Sequence, residues 1–492
     1  MSASKDKKLR QEQKAAGVVD KRAQAEAKAA ADRRKSNIKY SIVAIVLVIA
    51  FAFIFFFNSA IPSRSFTAVT IDGEEYSVAQ LNYYYSASYM NFYNTYYDYV
   101  SYGMFFDPAE SLADQDYSPD MTWRQYFLDA AVQTMTEVQV LTKAAEAAGF
   151  VLPEEYETRY AETVENFKTE WALYGYSSLE QYINMCYGKG VTMEILEEEL
   201  YRNYVASAYS EYMFDSYEYT TEELDSYYAD NADLFDMVSY SYVSTTDGSL
   251  DVDAIAAAVN GTDEAAFIEY MAANHEGEEP ISLTYDGANL NTTFSQWLLD
   301  DARQPGDAAA FTSDSGTSYA VMFLGRDNNN YPTVNFRHVL INAVDMDADG
   351  AFSEDEIAQA EVNAQAIYDE WLAGDATEET FAELANTYSE DAGSNTTGGL
   401  YENVYHDAMV EPVNNWIFAE NRQFGDTGIV TQNGANYTGA HILFFAGESD
   451  MTYAHALADS TLRNEAHTAW MESLTADTVS STQNLNLDAK HI

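Results

Sequence analysis

Phe336-Arg337-His338-Val339-Leu340 and Gly439-Ala440-His441-Ile442-Leu443 decide how this chain is read. Each lies in a short run of apolar and β-branched residues typical of a strand, and each holds one imidazole. The same setting recurs upstream. Val238-Ser239-Tyr240-Ser241-Tyr242-Val243 matches Val334-Asn335-Phe336-Arg337-His338-Val339, and Phe267 to Ala272 matches Phe381 to Asn386 as a helix. Trp297 followed by Arg303-Gln304-Pro305-Gly306-Asp307 matches Trp416 followed by Arg422-Gln423-Phe424-Gly425-Asp426, and Ala320-Val321-Met322-Phe323 matches Ala440-His441-Ile442-Leu443. Self-similarity of this kind marks a duplicated unit, here strand, helices, strand: a compact α+β fold in two copies. The upstream copy has Tyr242 and Val321 where the downstream copy has His338 and His441. A lone strand histidine is ordinarily a core residue, but two that are both missing from the sister copy point to a site in the downstream copy alone.

The downstream residues resemble the parvulin (PpiC-type) rotamase family. Five separated blocks carry the resemblance: Phe336 to Leu340; Phe381 to Ala385 with Tyr388-Ser389-Glu390-Asp391; Gly398-Gly399-Leu400; Met409-Val410; and Gly439 to Leu443. The whole layout is similar to the SurA/PrsA-like extracytoplasmic foldases. That resemblance implies peptidyl-prolyl isomerisation of unfolded or exported polypeptides, with no catalytic cofactor. It implies His338, His441, Asp391 and Thr438 as the catalytic network, and Leu400, Met409, Val413 and Phe418 as the lining of a proline pocket. Val413 stands where the family has an aromatic, Gly399-Leu400-Tyr401 replaces its Gly-Asp-Leu-Gly, and Gly434 to Tyr437 is an added loop. Phosphate-directed members carry bases after the first histidine; Asp345, Asp347 and Asp349 stand there instead.

That acidic stretch, 345–356, also fits a calcium-binding EF-hand loop. Asp345, Asp347 and Asp349 would give carboxylates, Ala351 its carbonyl, Ser353 a water contact and Glu356 two oxygens, with Gly350 at the sharp turn. A strand precedes the loop, so this would be a strand–loop–helix variant holding a structural Ca2+. The other reading is a solvated acidic turn.

Toward the N-terminus the expected parts are a helical chaperone-like block at 66–235, the degenerate copy at 236–330 and the rotamase-like copy at 333–447. In the foldases the C-terminal segment often returns to the helical block, so 450–492 is expected to do so through a helix bearing Trp470. The block opens with a strand pair about Asp72-Gly73, then a capping box of Ser77 and Gln80. Thr122 with Gln125 and Ser177 with Glu180 are further helix starts. Leu81, Tyr85, Tyr89, Phe92, Tyr96 and Tyr99 recur at helical spacing, either as a packing stripe or as a cradle for unfolded chains.

Tyr40 to Phe57 is an apolar run without charge, just long enough to span a bilayer. Residues 1–39 hold 12 basic and 5 acidic side chains, a net of +7, while the remaining 453 hold 13 and 74, a net of −61. The positive-inside rule makes the arm cytoplasmic and the body extracytoplasmic, as a single-pass plasma-membrane protein. A cleaved signal peptide ending near Asn58-Ser59-Ala60 is the rival. So acidic a body excludes nucleic acid as a partner. One cysteine, Cys186, excludes an internal disulfide framework. The fold expectation is therefore a multidomain α+β chain: a transmembrane helix, a helical domain, and two parvulin-like domains of which the first is degenerate. Three functions compete: an isomerase, a holdase with vestigial rotamase copies, and a cell-surface binder.

Overall fold

The computed structural model describes residues 3–17, 21–348, 350–434 and 437–483; Asp349, Ala435 and Asn436 therefore lie outside the described residues. The chain is a multidomain α+β protein with an N-terminal apolar helix. It divides into two compact units, 1–216 with 467–492, and 217–466.

In the first unit a single helix, Lys21–Asn58, joins basic and apolar segments, and it is long and apolar enough to cross a membrane. Strands β1 (Thr67–Ile71) and β2 (Glu74–Ser77) turn at Asp72 and Gly73, whose φ values of 49° and 82° are the left-handed pair of a tight hairpin. Ser77 then caps helix Val78–Thr95. Its hydroxyl accepts from the Gln80 amide at 3.3 Å, and the Gln80 side-chain oxygen accepts from the Ser77 amide at 2.9 Å. Two short strands, β3 (Asp116–Ser118) and β4 (Met121–Thr122), precede helix Trp123–Ala148, which Thr122 caps through the Gln125 amide and Gly149 ends at φ 67°. One start is shifted from expectation. Ser178, not Ser177, caps helix Leu179–Tyr187, because Gln181 rather than Glu180 closes the bond pattern.

The aromatic stripe divides into a buried half and an exposed half. Leu81 and Tyr85 are buried, and the rings of Tyr85, Tyr89 and Phe92 sit 6.2, 5.5 and 5.6 Å from Phe127, so this half is core. Tyr96 and Tyr99 emerge at 40 and 53% exposure. Trp470, Met471 and Leu474, from the end of helix Tyr453–Thr475, pack on the same core, and strand Ser480–Thr482 adds antiparallel to β1. That last strand carries no sequence pattern. Cys186 is half-buried, and burial pushes its thiol up.

The second unit holds the duplication. Strands β5 (Met237–Thr245), β6 (Ile281–Asp286), β7 (Ala308–Thr312) and β8 (Ser318–Asp327) form one antiparallel sheet in the order β6-β5-β8-β7. Strands β9 (Pro332–Asn342), β10 (Leu400–Val404), β11 (Thr427–Asn433) and β12 (Thr438–Thr452) form the other as β10-β9-β12-β11. The two orders are the same. Side chains alternate between faces along each strand. Val339, Ile341, Ala440, Ile442 and Phe444 face helices Glu354–Ala373 and Glu378–Tyr388, whereas Val334, Phe336, Leu443 and Phe445 face helix Glu411–Ile417. His338 and His441 have the parity of the second set.

Backbone bonds fix the equivalence of the copies. The Gly306 amide donates to Phe323 O at 2.8 Å and the Phe323 amide to Asp307 O at 2.8 Å; Gly425, Phe445 and Asp426 repeat this at 2.9 and 2.8 Å. Phe323 thus corresponds to Phe445, and counting back along β8 and β12 puts Tyr319, not Val321, at the place of His441. Tyr242 does correspond to His338, since the partners Val321 and Leu443 are themselves equivalent. The sequence pairing slipped by two residues, a shift that conserves the facing pattern and so leaves no trace in it. The upstream copy therefore carries a tyrosine pair, with Tyr242 and Tyr319 centroids 6.0 Å apart, where the downstream copy carries two imidazoles.

Candidate functional site

His338 on β9 and His441 on β12 lie on adjacent strands and are 6 and 3% exposed. Their rings are 5.3 Å apart and 12° from parallel, and their Nδ1 atoms are 3.1 Å apart. The loop after helix Glu378–Tyr388 is stitched to β9. The Leu340 amide donates to Ser389 Oγ at 3.1 Å, and the Glu390 amide donates to Leu340 O at 2.9 Å. This delivers Asp391 to His338, with Nε2 to Oδ2 at 2.9 Å. Along the same edge of β9 the His338 amide donates to Gly399 O at 2.9 Å. Gly399 has φ 70°, and a Cβ there would stand 2.2 Å from His338 O, so only glycine lets the chain pass this close.

With neutral rings the bond pattern allows one assignment of tautomers. The carboxylate of Asp391 accepts from His338 Nε2–H, so His338 Nδ1 accepts from His441 Nδ1–H. His441 Nε2 then accepts from the Tyr437 hydroxyl at 3.0 Å. Asp391 Oδ2 also accepts from Ser394 Oγ at 2.5 Å and from the Tyr401 hydroxyl at 3.0 Å. Donation runs one way, from Tyr437 through both imidazoles to a carboxylate oxygen that three donors share.

The expected residues divide. His338, His441 and Asp391 are brought together. Thr438 is not: although buried, its hydroxyl donates to Asn433 Oδ1 at 3.4 Å, and the neighbouring Tyr437 meets His441 in its place. Val413 is buried in the apolar cluster with Phe336, Ile417 and Leu443, and Met409 and Phe418 pack on it. Phe418 lies with its ring centroid 3.8 Å from that of His406. Leu400 stands outside that cluster. On β10 the adjacent Tyr401 has the inward parity, stacked 5.5 Å from Phe336 and edge-on to His338 at 5.3 Å. Ser394, Tyr401 and Tyr437 were missed. Ser394 is 1% exposed, three residues after Asp391, a spacing that by itself signals only a turn.

In the acidic loop, carboxylate oxygens of Asp345, Asp347 and Glu356 lie within 4.8 Å of one another, a separation a cation can bridge; Asp349 lies outside the described residues. Ser353 and Glu356 are otherwise engaged. Ser353 caps helix Glu354–Ala373, and Glu356 accepts from the Met346 amide at 2.6 Å and from the Ser353 amide and hydroxyl at 2.8 Å each. Those bonds, the Ser353 amide first, hold the Glu356 carboxyl below the usual range. The donor set fits a cation only in part, because the residue expected to bind through two oxygens has both occupied. The last four loop positions also spell a capping box, the reading that local hydrogen bonding favours.

The hydrogen bond from His338 holds Asp391 far below the usual carboxylate range against the opposing effect of burial. Burial, aided by the nearby His338, pushes His441 down to about 4. The sign follows. Between the unfolded value of 6.5 and about 4, the unfolded chain binds a proton at this position that the folded chain refuses. Stability from His441 is thus complete above 6.5 and lost as pH falls through that window, by about 3 kcal/mol at 1.36 kcal/mol per unit. Asp391 withdraws its own share below 3.8. An NMR titration of the imidazole resonances should find His441 neutral at pH 5; protonation near 6.5 would show that burial does not control it.

The family profile of the PPIC-type PPIASE domain matches residues 321–469. No curated protein matches the sequence. Among solved structures, PrsA from Bacillus subtilis is 11% identical, covering 73% of this chain and 88% of its own at a TM-score of 0.30. The foldase protein PrsA from Streptococcus pneumoniae is 11% identical, with 72 and 87% covered at 0.24. A structure described under PEB4 and Cj1289, two SurA-like chaperones of Campylobacter jejuni, is 9% identical, with 63 and 96% covered at 0.15. The paired histidines fall inside residues 321–469, the segment that matches the PPIC-type, parvulin-like PPIase family.

Proposed function

We propose that the chain is a membrane-anchored foldase whose domain at 333–447 isomerises prolyl bonds in exported polypeptides, beside a degenerate copy at 236–330 and a client-holding helical domain at 66–235. The observation that carries this reading is the 3.1 Å contact between His338 and His441 inside the matched segment. Prolyl rotation faces a barrier of about 18–20 kcal/mol because the planar amide has partial double-bond character. No bond breaks, so the site must only favour the twisted amide over the planar one. Twisting decouples the nitrogen lone pair from the carbonyl and lowers the amide dipole. Met409, Val413 and Tyr401 would supply a wall that keeps water from the proline ring. The chain from Tyr437 to Asp391 would hold both imidazoles in fixed orientation behind that wall.

His441→Ala and Asp391→Asn should each lower the turnover of a proline-switch peptide about tenfold or more, the loss of one 1.36 kcal/mol step in the barrier. NMR exchange spectroscopy on the full chain reads this directly. The holdase alternative draws on Tyr401, which stacks on Phe336 at the site and belongs to the departure from the family's Gly-Asp-Leu-Gly pattern. Wild-type exchange no faster than the uncatalysed peptide would select it.

The proposed placement is a cytoplasmic arm, one span and an extracytoplasmic body. Protease added outside intact cells should then degrade the body and spare residues 1–39; a protected body would reverse the orientation. The acidic loop is proposed as a weak structural Ca2+ site, supported by the three convergent carboxylates. Calcium in excess over chelator should raise the melting temperature by mass action. An unchanged value would leave the loop as a helix cap.

A further inference from the structure

A cavity of about 540 Å³ opens between the two copies of the second unit, where the linker after β8, the loop after β10 and the start of helix Tyr453–Thr475 converge. Its walls are aromatic. Tyr405 and Tyr453 stack face to face with centroids 4.3 Å apart and planes 10° from parallel, and Tyr405 is 40% exposed. Tyr331 lies 5.7 Å from Tyr453 and 4.6 Å from His406. Its carboxylates are Asp327 and Asp407, and its bases are the Arg326 guanidinium and the His406 imidazole. Arg326 is already bound by Asp236 at 2.6 Å, Asp233 at 2.8 Å and Asp301 at 3.6 Å, so carboxylates outnumber it before the two wall aspartates are counted. Tyr331 and Tyr453 remain neutral phenols: burial pushes Tyr331 up to about 12, and burial with Tyr405 and Asp286 does the same to Tyr453.

Electron-rich ring faces beside uncompensated carboxylates attract an organic cation rather than an anion. The volume falls within the ~300–1,000 Å³ of small-ligand sites, room for one long side chain and its flanking backbone. We propose that this cavity takes an arginine or lysine side chain from an unfolded polypeptide, as a recognition point separate from the rotamase site. The formal charge of −54 on the whole chain complements such a partner at long range. Only the source of the cation rests on the foldase reading; the chemistry of the cavity does not.

Calorimetric titration of the full chain in detergent, with a blocked Gly-Gly-Arg-Gly-Gly peptide and its neutral citrulline counterpart, tests this. The arginine peptide should bind about tenfold more tightly, the worth of a partly desolvated cation over aromatic rings. Tyr405→Ala and the surface change Asp407→Asn should each weaken it severalfold while prolyl exchange stays at the wild-type rate. Equal affinity for the two peptides overturns the proposal, as does unchanged binding in Asp407→Asn, which removes no packing. Spermidine binding as tightly as the arginine peptide would overturn the polypeptide source. Because the titration needs no turnover, a chain inactive toward proline still gives a readable answer.

Discussion

Two imidazoles withdrawn almost completely from water must satisfy their nitrogens within the protein, and the rest of the downstream copy is arranged around that requirement. An unpaired buried donor or acceptor costs about 1–3 kcal/mol, so four ring nitrogens left without partners would erase a large part of a domain's net stability. The β9–β12 register answers two of the four by setting the Nδ1 atoms 3.1 Å apart. Asp391 and Tyr437 answer the other two from loops on opposite sides. A one-residue slip of either strand would turn an imidazole into the helix-facing core. Register, loop anchoring at Leu340 and the glycine at 399 are therefore parts of one constraint.

The upstream copy keeps the sheet and relaxes that constraint. Tyr242 and Tyr319 occupy the equivalent positions, and their centroids stand 6.0 Å apart. A phenol carries its polar atom at the tip and can reach outward for a partner, so no carboxylate corresponding to Asp391 is required. Phe294 lies 5.4 Å from Tyr319 and 5.5 Å from Tyr240, and fills this face with ring surface. One backbone thus supports a polar relay in one copy and an aromatic cluster in the other, and the side chains at the paired strand positions decide which.

Features written in contiguous residues were legible in the sequence. The Asp72-Gly73 hairpin, the Ser77 box and the Thr122 start depend on local hydrogen bonds, and all three stand where the sequence puts them. The histidine pair was legible because duplication supplied an internal control. What escaped depends on parity and on loops. Leu400 and Tyr401 are neighbours on a strand whose register only β9 can set, so the apolar residue was chosen where the phenol is the one facing inward. Thr438 and Tyr437 present the same ambiguity at the first residue of β12. Glu356 belongs to two overlapping patterns, a cation loop and a helix cap. The cap prevails locally because its donors are already in place whether or not an ion arrives.

The occupancy of Asp391 also limits the chemistry the site can perform. Its Oδ2 accepts from His338, Ser394 and Tyr401 together, and this drives its proton affinity down. A carboxylate so saturated is a poor base near neutrality. His441, with both nitrogens engaged and its affinity for a proton lowered by burial, is a poor base for the same reason, and near neutrality it carries no imidazolium proton to give. Neither group is poised to give or take a proton. A rotation about a C–N bond asks for no such transfer, only for dipoles that do not reorganise while the amide twists. A hydrolase built on these same residue types would need at least one of them loosened, with a free nitrogen aimed at a nucleophile, and the bonding here leaves none.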